Sequence, residues 1–113
     1  MTLDYQIILP TLNEEKNISV LFYLIHRMAK RIEKNFEILL VDDNSEDKTR
    51  AVAEELKEFY EKTLKDGRLK IKPCYRPRKM GLGSAYVHAF QFVTTKHVII
   101  MDADLSHHVL ESN

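Results

Sequence analysis

The sequence predicts an α/β protein, a three-layer α/β/α sandwich built on a mainly parallel sheet. Three observations carry that reading. Three short, mostly apolar runs, 5–9, 37–41 and 97–101, and an alternating segment, 68–72, each have the length and flanks of a strand. Between successive runs lie stretches with helical periodicity, and crossovers of that kind join parallel neighbours. Polar clusters follow the three apolar runs, at the carboxyl edge where open α/β sheets hold their ligands.

Tyr5 to Leu9 is a short, mostly apolar run closed by Pro10, and predicts a buried strand ending at a loop. Apolar residues then recur at Ile18, Leu21, Phe22, Ile25, Met28, Ala29 and Ile32, in steps of three and four, and predict a helix from about Glu15 to Lys34. Glu37 to Val41 is almost wholly apolar, as a strand covered on both faces should be. After the polar stretch Asp42 to Asp47, a second helix shows Val52, Leu56, Phe59, Tyr60 and Leu64, with Asp47 placed to cap its start and Gly67 to end it. Arg68 to Lys72 alternates around Leu69 and Ile71 and predicts a third strand. Pro73 and Pro77 bracket an extended basic loop that runs to Lys79. A short helix from Ser84 to Thr94 and a strand from His97 to Met101 complete a β-α-β-α-β-α-β order.

Length and composition bound the function. The 113 residues suit one domain, 1–113, and 44% apolar with 30% charged residues is poor material for disorder. Seventeen basic against seventeen acidic side chains give no basic excess, which argues against a duplex-binding module and for no nucleic-acid partner. The single Cys74 excludes an internal disulfide and any C-x-x-C site. Val20 to Ile25 is the longest apolar run, far short of the roughly 20 residues that cross a bilayer. No signal peptide is visible, and the chain reads as soluble with no transmembrane segment.

Asp102-Ala103-Asp104 sets two carboxylates at a strand end, where they can share a hard cation such as Mg²⁺ or Mn²⁺. The plainer reading is a solvated loop with one acid capping the next element. An EF-hand is excluded by His107 and Asn113 at the positions that need Gly and Glu. The adjacent His107 and His108 are a poor zinc pair without a thiolate or a helical His spacing. Asp42-Asp43-Asn44-Ser45 can accept bonds from a base or ribose, or serve as turn residues. Gly81-Leu82-Gly83-Ser84 opens a helix and could face phosphate, yet it fits neither the Rossmann nor the Walker A pattern. Arg76, Arg78 and Lys79 could meet an anion, with a solvated surface run as the default.

Four segments occur in order: Pro10-Thr11-Leu12-Asn13-Glu14, Val41-Asp42-Asp43-Asn44-Ser45, Gly81-Leu82-Gly83-Ser84-Ala85-Tyr86, and Met101-Asp102-Ala103-Asp104-Leu105-Ser106-His107-His108. Together they resemble the family 2 inverting glycosyltransferases of GT-A fold, a Rossmann-like arrangement, and most closely the dolichol-phosphate-mannose branch. The first two motifs are shared widely in that family, and the last is narrower. The resemblance covers residues 5–108.

The resemblance implies that Pro10, Leu12 and Glu14 line a GDP-mannose pocket, with Leu12 where the family more often has Tyr. It implies that Val41 and Asp43 contact the nucleoside portion, with Asn44 where Gly is commoner. Asp102 and Asp104 match a metal motif for Mg²⁺ or Mn²⁺, with Asp104 catalytic, Ala103 beside the sugar nucleotide and Ser106 a weaker third ligand. The implied reaction passes mannose from GDP-mannose to dolichol phosphate, at the cytosolic face of the endoplasmic reticulum. Its product would feed N-glycosylation, O-mannosylation and GPI-anchor synthesis, with small membrane-anchoring subunits as partners. Family members continue well past His-His, with Pro next, whereas this chain has Val109 and stops at Asn113. It is therefore expected to be a truncated donor-binding half, with acceptor residues absent. The alternatives are a non-catalytic GDP-sugar-binding fragment and a polyprenol-phosphate glucosyltransferase. A receiver-type signalling domain is set aside, because it places its acidic pair after the first strand.

Overall fold

The computed structural model describes residues 2–103. The observed elements are β1 (Tyr5–Thr11), α1 (Ile18–Ile32), β2 (Phe36–Asp42), α2 (Thr49–Glu58), β3 (Leu69–Tyr75), α3 (Leu82–Phe90) and β4 (Val98–Ile100). A π-helical turn, Phe59–Leu64, prolongs α2. All pairings are parallel and the strand order is β3-β2-β1-β4. The chain winds outward from β1 to β3, then crosses back through α3 to add β4 on the other side of β1. The resulting switch point lies between β1 and β4.

Burial explains why these residues make these strands. In β1, Ile7 and Leu9 enter one core while Ile8, pointing the other way, enters a second. β2 divides likewise, with Phe36, Ile38 and Leu40 on one side and Leu39 and Val41 on the other. Both strands are covered on two faces, so each carries an apolar run through its centre, Ile7 to Leu9 and Ile38 to Val41. The larger core receives Ile18, Leu21, Phe22, Ile25 and Ala29 from α1, with Ala53 and Tyr60 from the second crossover. The smaller core is closed by Ala85 and Ala89 of α3. β3 buries Leu69 and Ile71, with Tyr75 packed against the same core, and its Lys70 and Lys72 are exposed, so it alternates.

Several expected boundaries move. α1 starts at Ile18 rather than Glu15, because Asn13 takes a left-handed φ of 55° and a turn closes from Glu14 O to Asn17 and Ile18 N–H. Met28 and Ile32 belong to the apolar pattern but are exposed. Pro73 lies inside β3, opposite Leu40, rather than opening a loop. β3 is an edge strand, where a missing N–H leaves no inner partner unsatisfied. The second helix stops at Leu64 with Lys65 left-handed at φ 56°, two residues before Gly67. α3 runs Leu82–Phe90, earlier at both ends than Ser84 to Thr94. Arg76 corrects the picture of a solvated basic loop, since only 4% of it is exposed.

Candidate functional site

The carboxyl edge of the sheet is built around Asp42, the last residue of β2 and fully buried. Its carboxylate accepts hydrogen bonds from Thr11 Oγ1 at 2.8 Å, Ser45 N at 2.9 Å, the Ser45 hydroxyl, and Arg50 Nε at 2.8 Å. Thr11 ends β1 in register with Asp42, so this one side chain locks two strand ends together. Burial alone would push the Asp42 carboxyl up, but the bonds from Ser45, Arg50 and Thr11 outweigh it and hold the group below its ordinary value.

A second lattice joins the loop after β1 to the loop after β2. Asn13 N donates to Ser45 Oγ at 2.9 Å, and Asn13 Oδ1 accepts from Glu46 N at 2.9 Å and Asp47 N at 3.3 Å. Glu14 N donates to Thr49 Oγ1 at 2.8 Å, and Glu15 N to Asp47 Oδ2 at 3.3 Å. Asp47 also accepts from Thr49 N at 2.9 Å, but it stands one position before the N-cap, which is Lys48 and makes no side-chain capping bond. Asn44 takes the left-handed φ of 63° that an amide residue tolerates. Sequence reading missed Thr11, Asn13, Thr49 and Arg50 as builders of this edge. Their partners lie 31 to 35 residues away, or through Asp42, and no local pattern announces them.

Asp43 occupies the start of α3. Its two oxygens accept Met80 N at 2.8 Å and Gly81 N at 3.1 Å, and Arg76 Nε lies 3.8 Å from Oδ1. The carboxylate therefore already stands at the positive end of that helix, where a phosphate was considered. Gly81 has φ 92° and ψ 159°, a region essentially reserved for glycine. A Cβ there would meet nothing within 4 Å, so the cost of Gly81→Ala is conformational alone. Chemical denaturation should report a loss of about 1–3 kcal/mol.

The remaining expected residues are distributed unevenly. Pro10 pairs with Val41 at the strand ends and is half-buried. Leu12 is exposed, and the Glu14 carboxylate accepts Asn17 Nδ2 at 2.8 Å. The Val41 side chain is buried in the α3-side core, which leaves only its main chain for a ligand. β4 reaches the same edge, with Met101 N donating to Ile8 O at 3.0 Å. Asp102 follows and is exposed, while Ala103 is buried in the larger core. Asp104, Ser106, His107 and His108 lie outside the described residues. Among the described residues no group of three His, Cys, Asp or Glu side chains is placed to hold a metal ion. Asp102 supplies one hard oxygen donor, the chemistry that Mg²⁺ or Mn²⁺ takes. Among the described residues, no helix is long and apolar enough to cross a membrane.

Asp66 repeats the electrostatics of Asp42 on the opposite side of the molecule. Burial pushes it up, but the Arg68 N–H and His26, whose Nε2 is 2.7 Å away, more than offset that and lower it. Asp47 is lowered likewise, burial being outweighed by its bonds from Thr49 and Glu15. The three carboxyls contribute stability that is present above about pH 4 and lost as pH falls through their folded values. The melting temperature is expected to fall steeply below about pH 4, and Asp66→Asn should flatten that slope. An unchanged slope in the variant would remove Asp66 from the account.

A doubly wound parallel sheet, with the polar loops after β1 and β2 joined at its carboxyl edge, defines a Rossmann-like α/β architecture. The chain belongs to glycosyl transferase family 2, whose model matches residues 6–110. It is 35% identical over 101 residues to a dolichol-phosphate mannosyltransferase of Pyrococcus furiosus, covering 89% of this chain and 26% of that protein. It is 34% identical over 104 residues to a polyprenol monophosphomannose synthase of Mycolicibacterium smegmatis, covering 89% of this chain and 35% of that one. The chain thus spans between about a quarter and a third of these curated relatives.

Among solved structures, Staphylococcus aureus TarS 1-349 superposes with a TM-score of 0.69 at 23% identity, over 96% of this chain and 32% of that one. The mannosyltransferase PcManGT from Pyrobaculum calidifontis, in complex with GDP-Man and Mn²⁺, gives 0.62 at 23% identity, over 92% and 28%. At these identities the likeness establishes the fold, and the GT-A arrangement is the one observed.

Proposed function

We propose that the chain is the donor-binding portion of a glycosyltransferase that moves mannose from GDP-mannose to dolichol phosphate or a related polyprenyl phosphate. The observation that carries this reading is that the carboxyl ends of β1, β2 and β4 lie on one sheet edge, with the loops after β1 and β2 joined there. The 35% and 34% identities to two polyprenyl-phosphate mannose enzymes support the choice of sugar and acceptor.

In this reading Pro10, Leu12 and Glu14 line the donor pocket, and Leu12, at 40% exposure, offers an apolar face to the base. Asp43 and the main chain of Val41 meet the nucleoside, and Ala103 borders the sugar nucleotide through its backbone. Asp102 and Asp104 hold Mg²⁺ or Mn²⁺, with Ser106 as an auxiliary ligand. When bound, the ion offsets charge on the departing diphosphate. The protein's own part is positional: the lattice around Asp42 and Asn13 fixes both donor loops before substrate arrives, so little reorganisation opposes binding. An acceptor phosphate is already anionic near neutral pH, and no dedicated general base is required of this chain. The wider setting that follows is the cytosolic face of the endoplasmic reticulum, with small anchoring subunits and a product used in N-glycosylation, O-mannosylation and GPI-anchor synthesis.

Calorimetry with Mn²⁺ present tests the reading. GDP and GDP-mannose should bind, and UDP-glucose should compete less well than either. Tighter binding of UDP-glucose would turn the reading towards a glucosyltransferase, and no binding of any nucleotide would remove the donor site.

A further inference from the structure

We propose that the outer face of α1, together with the adjoining π-helical turn, docks on the surface of an anionic lipid bilayer. The inference rests on these two elements alone and is independent of which sugar is transferred.

The face is unlike an ordinary solvated helix surface. Opposite the buried stripe, Val20, Tyr23 and Leu24 are each between 42% and 56% exposed, and Met28 and Ile32, on the flank of that stripe, are 38% and 46% exposed. No Asp or Glu occurs between Ile18 and Ile32, while Arg27, Lys30 and Arg31 are exposed among the apolar residues. The patch continues across a shallow groove of about 350 Å³ to Phe59 and Leu64, both exposed, beside the exposed Lys65, while Lys62 is taken up by Glu58. The acids nearest in sequence to this turn are engaged. Glu61 accepts Lys57 Nζ and the Ile71 N–H, Asp66 accepts His26 and the Arg68 N–H, and Glu58 pairs with Lys62 at 3.6 Å.

An apolar and cationic face with few free acids matches the boundary between lipid headgroups and acyl chains. There Leu, Val, Met and Phe leave water, the Arg and Lys stems lie along them, and their charged ends reach lipid phosphates. Tyr23 has the apolar ring and polar tip that suit the same depth. α1 begins at the Glu14–Asn17 turn beside the candidate site, so docking this face leaves the carboxyl edge of the sheet next to the lipid.

Vesicle flotation of the full 113-residue chain tests the proposal, with phosphatidylserine-containing and purely phosphatidylcholine vesicles. Binding should be at least about tenfold tighter to the anionic vesicles and weaken as salt rises. Reversing two charges, Arg27→Glu with Arg31→Glu, should lower it about twentyfold or more. Leu24→Ser with Met28→Ser should lower it about tenfold. Far-UV circular dichroism and melting establish that each variant is folded. The sequence holds no tryptophan, so Tyr23→Trp in an otherwise unchanged chain gives a single reporter. Its emission should shift to the blue with anionic vesicles. Unshifted emission, or flotation indifferent to charge reversal, would overturn the proposal. Retention that needs other membrane proteins and is absent on pure lipid would overturn it in favour of a protein partner.

Discussion

Replacing Asp42 by asparagine is expected to lower the stability of the fold by about 2–4 kcal/mol, measured by urea or thermal denaturation. The side chain is fully buried and its charge is matched by Arg50, whose own side chain is about one-third exposed. An amide cannot accept from Thr11, both Ser45 donors and Arg50 together, because one of its two heavy atoms is a donor. The loss falls on a domain whose total stability should be of the order of 5–15 kcal/mol. Ser45→Ala removes one hydroxyl at the same knot and should cost only about 1 kcal/mol. Equal costs for the two variants would mean that the ion pair with Arg50 contributes nothing.

The second large effect concerns Asp104. Under the proposed function, Asp104→Asn should weaken GDP binding in the presence of Mn²⁺ about thirtyfold or more, because an anionic oxygen ligand is replaced by a neutral one. Without metal, wild type and variant should bind alike and weakly. The melting temperature should hardly change, which separates this carboxylate from Asp42. Equal affinity for wild type and variant with metal present would remove Asp104 from the metal site.

Much of the architecture was legible because burial writes itself into spacing. Ile7, Ile8, Leu9 and Ile38 to Val41 are continuous runs since helices cover both faces, and Leu69 and Ile71 alternate because the other face of β3 carries the exposed Lys70 and Lys72. Met28 and Ile32 extend the apolar pattern of α1 beyond what the core receives, so periodicity marked more residues than are buried. Pro73 misled because a proline argues against a strand only where its nitrogen needs a partner, and edge position is a tertiary fact. Arg76 was unreadable as a buried residue for the same reason. Its nearest groups, Asp43, Met80 and Ser84, come from the end of β2 and the start of α3.

The site divides similarly. Its location followed from the order of elements and the polar clusters. The structural side of the balance between ligand and turn chemistry at Asp42 and Asp43 is visible only in three dimensions. There Asp42 faces inward as a knot, and Asp43 holds Met80 and Gly81.

The strand order also sets a sequence of events in time. β1 meets β2 across a short span of chain, and the lattice from Asn13 to Thr49 needs nothing beyond the first fifty residues. β1 meets β4 only across almost the whole described chain. Contacts so distant along the chain bear the larger loop-closure entropy and form late. On a ribosome, the paired loops after β1 and β2 would therefore be assembled while the far flank of β1 still awaited its partner. During that interval the row of backbone groups on β1 that later meets Val98 to Ile100 is open to any other strand, and it is the place where a nascent chain of this topology would be most vulnerable to mispairing.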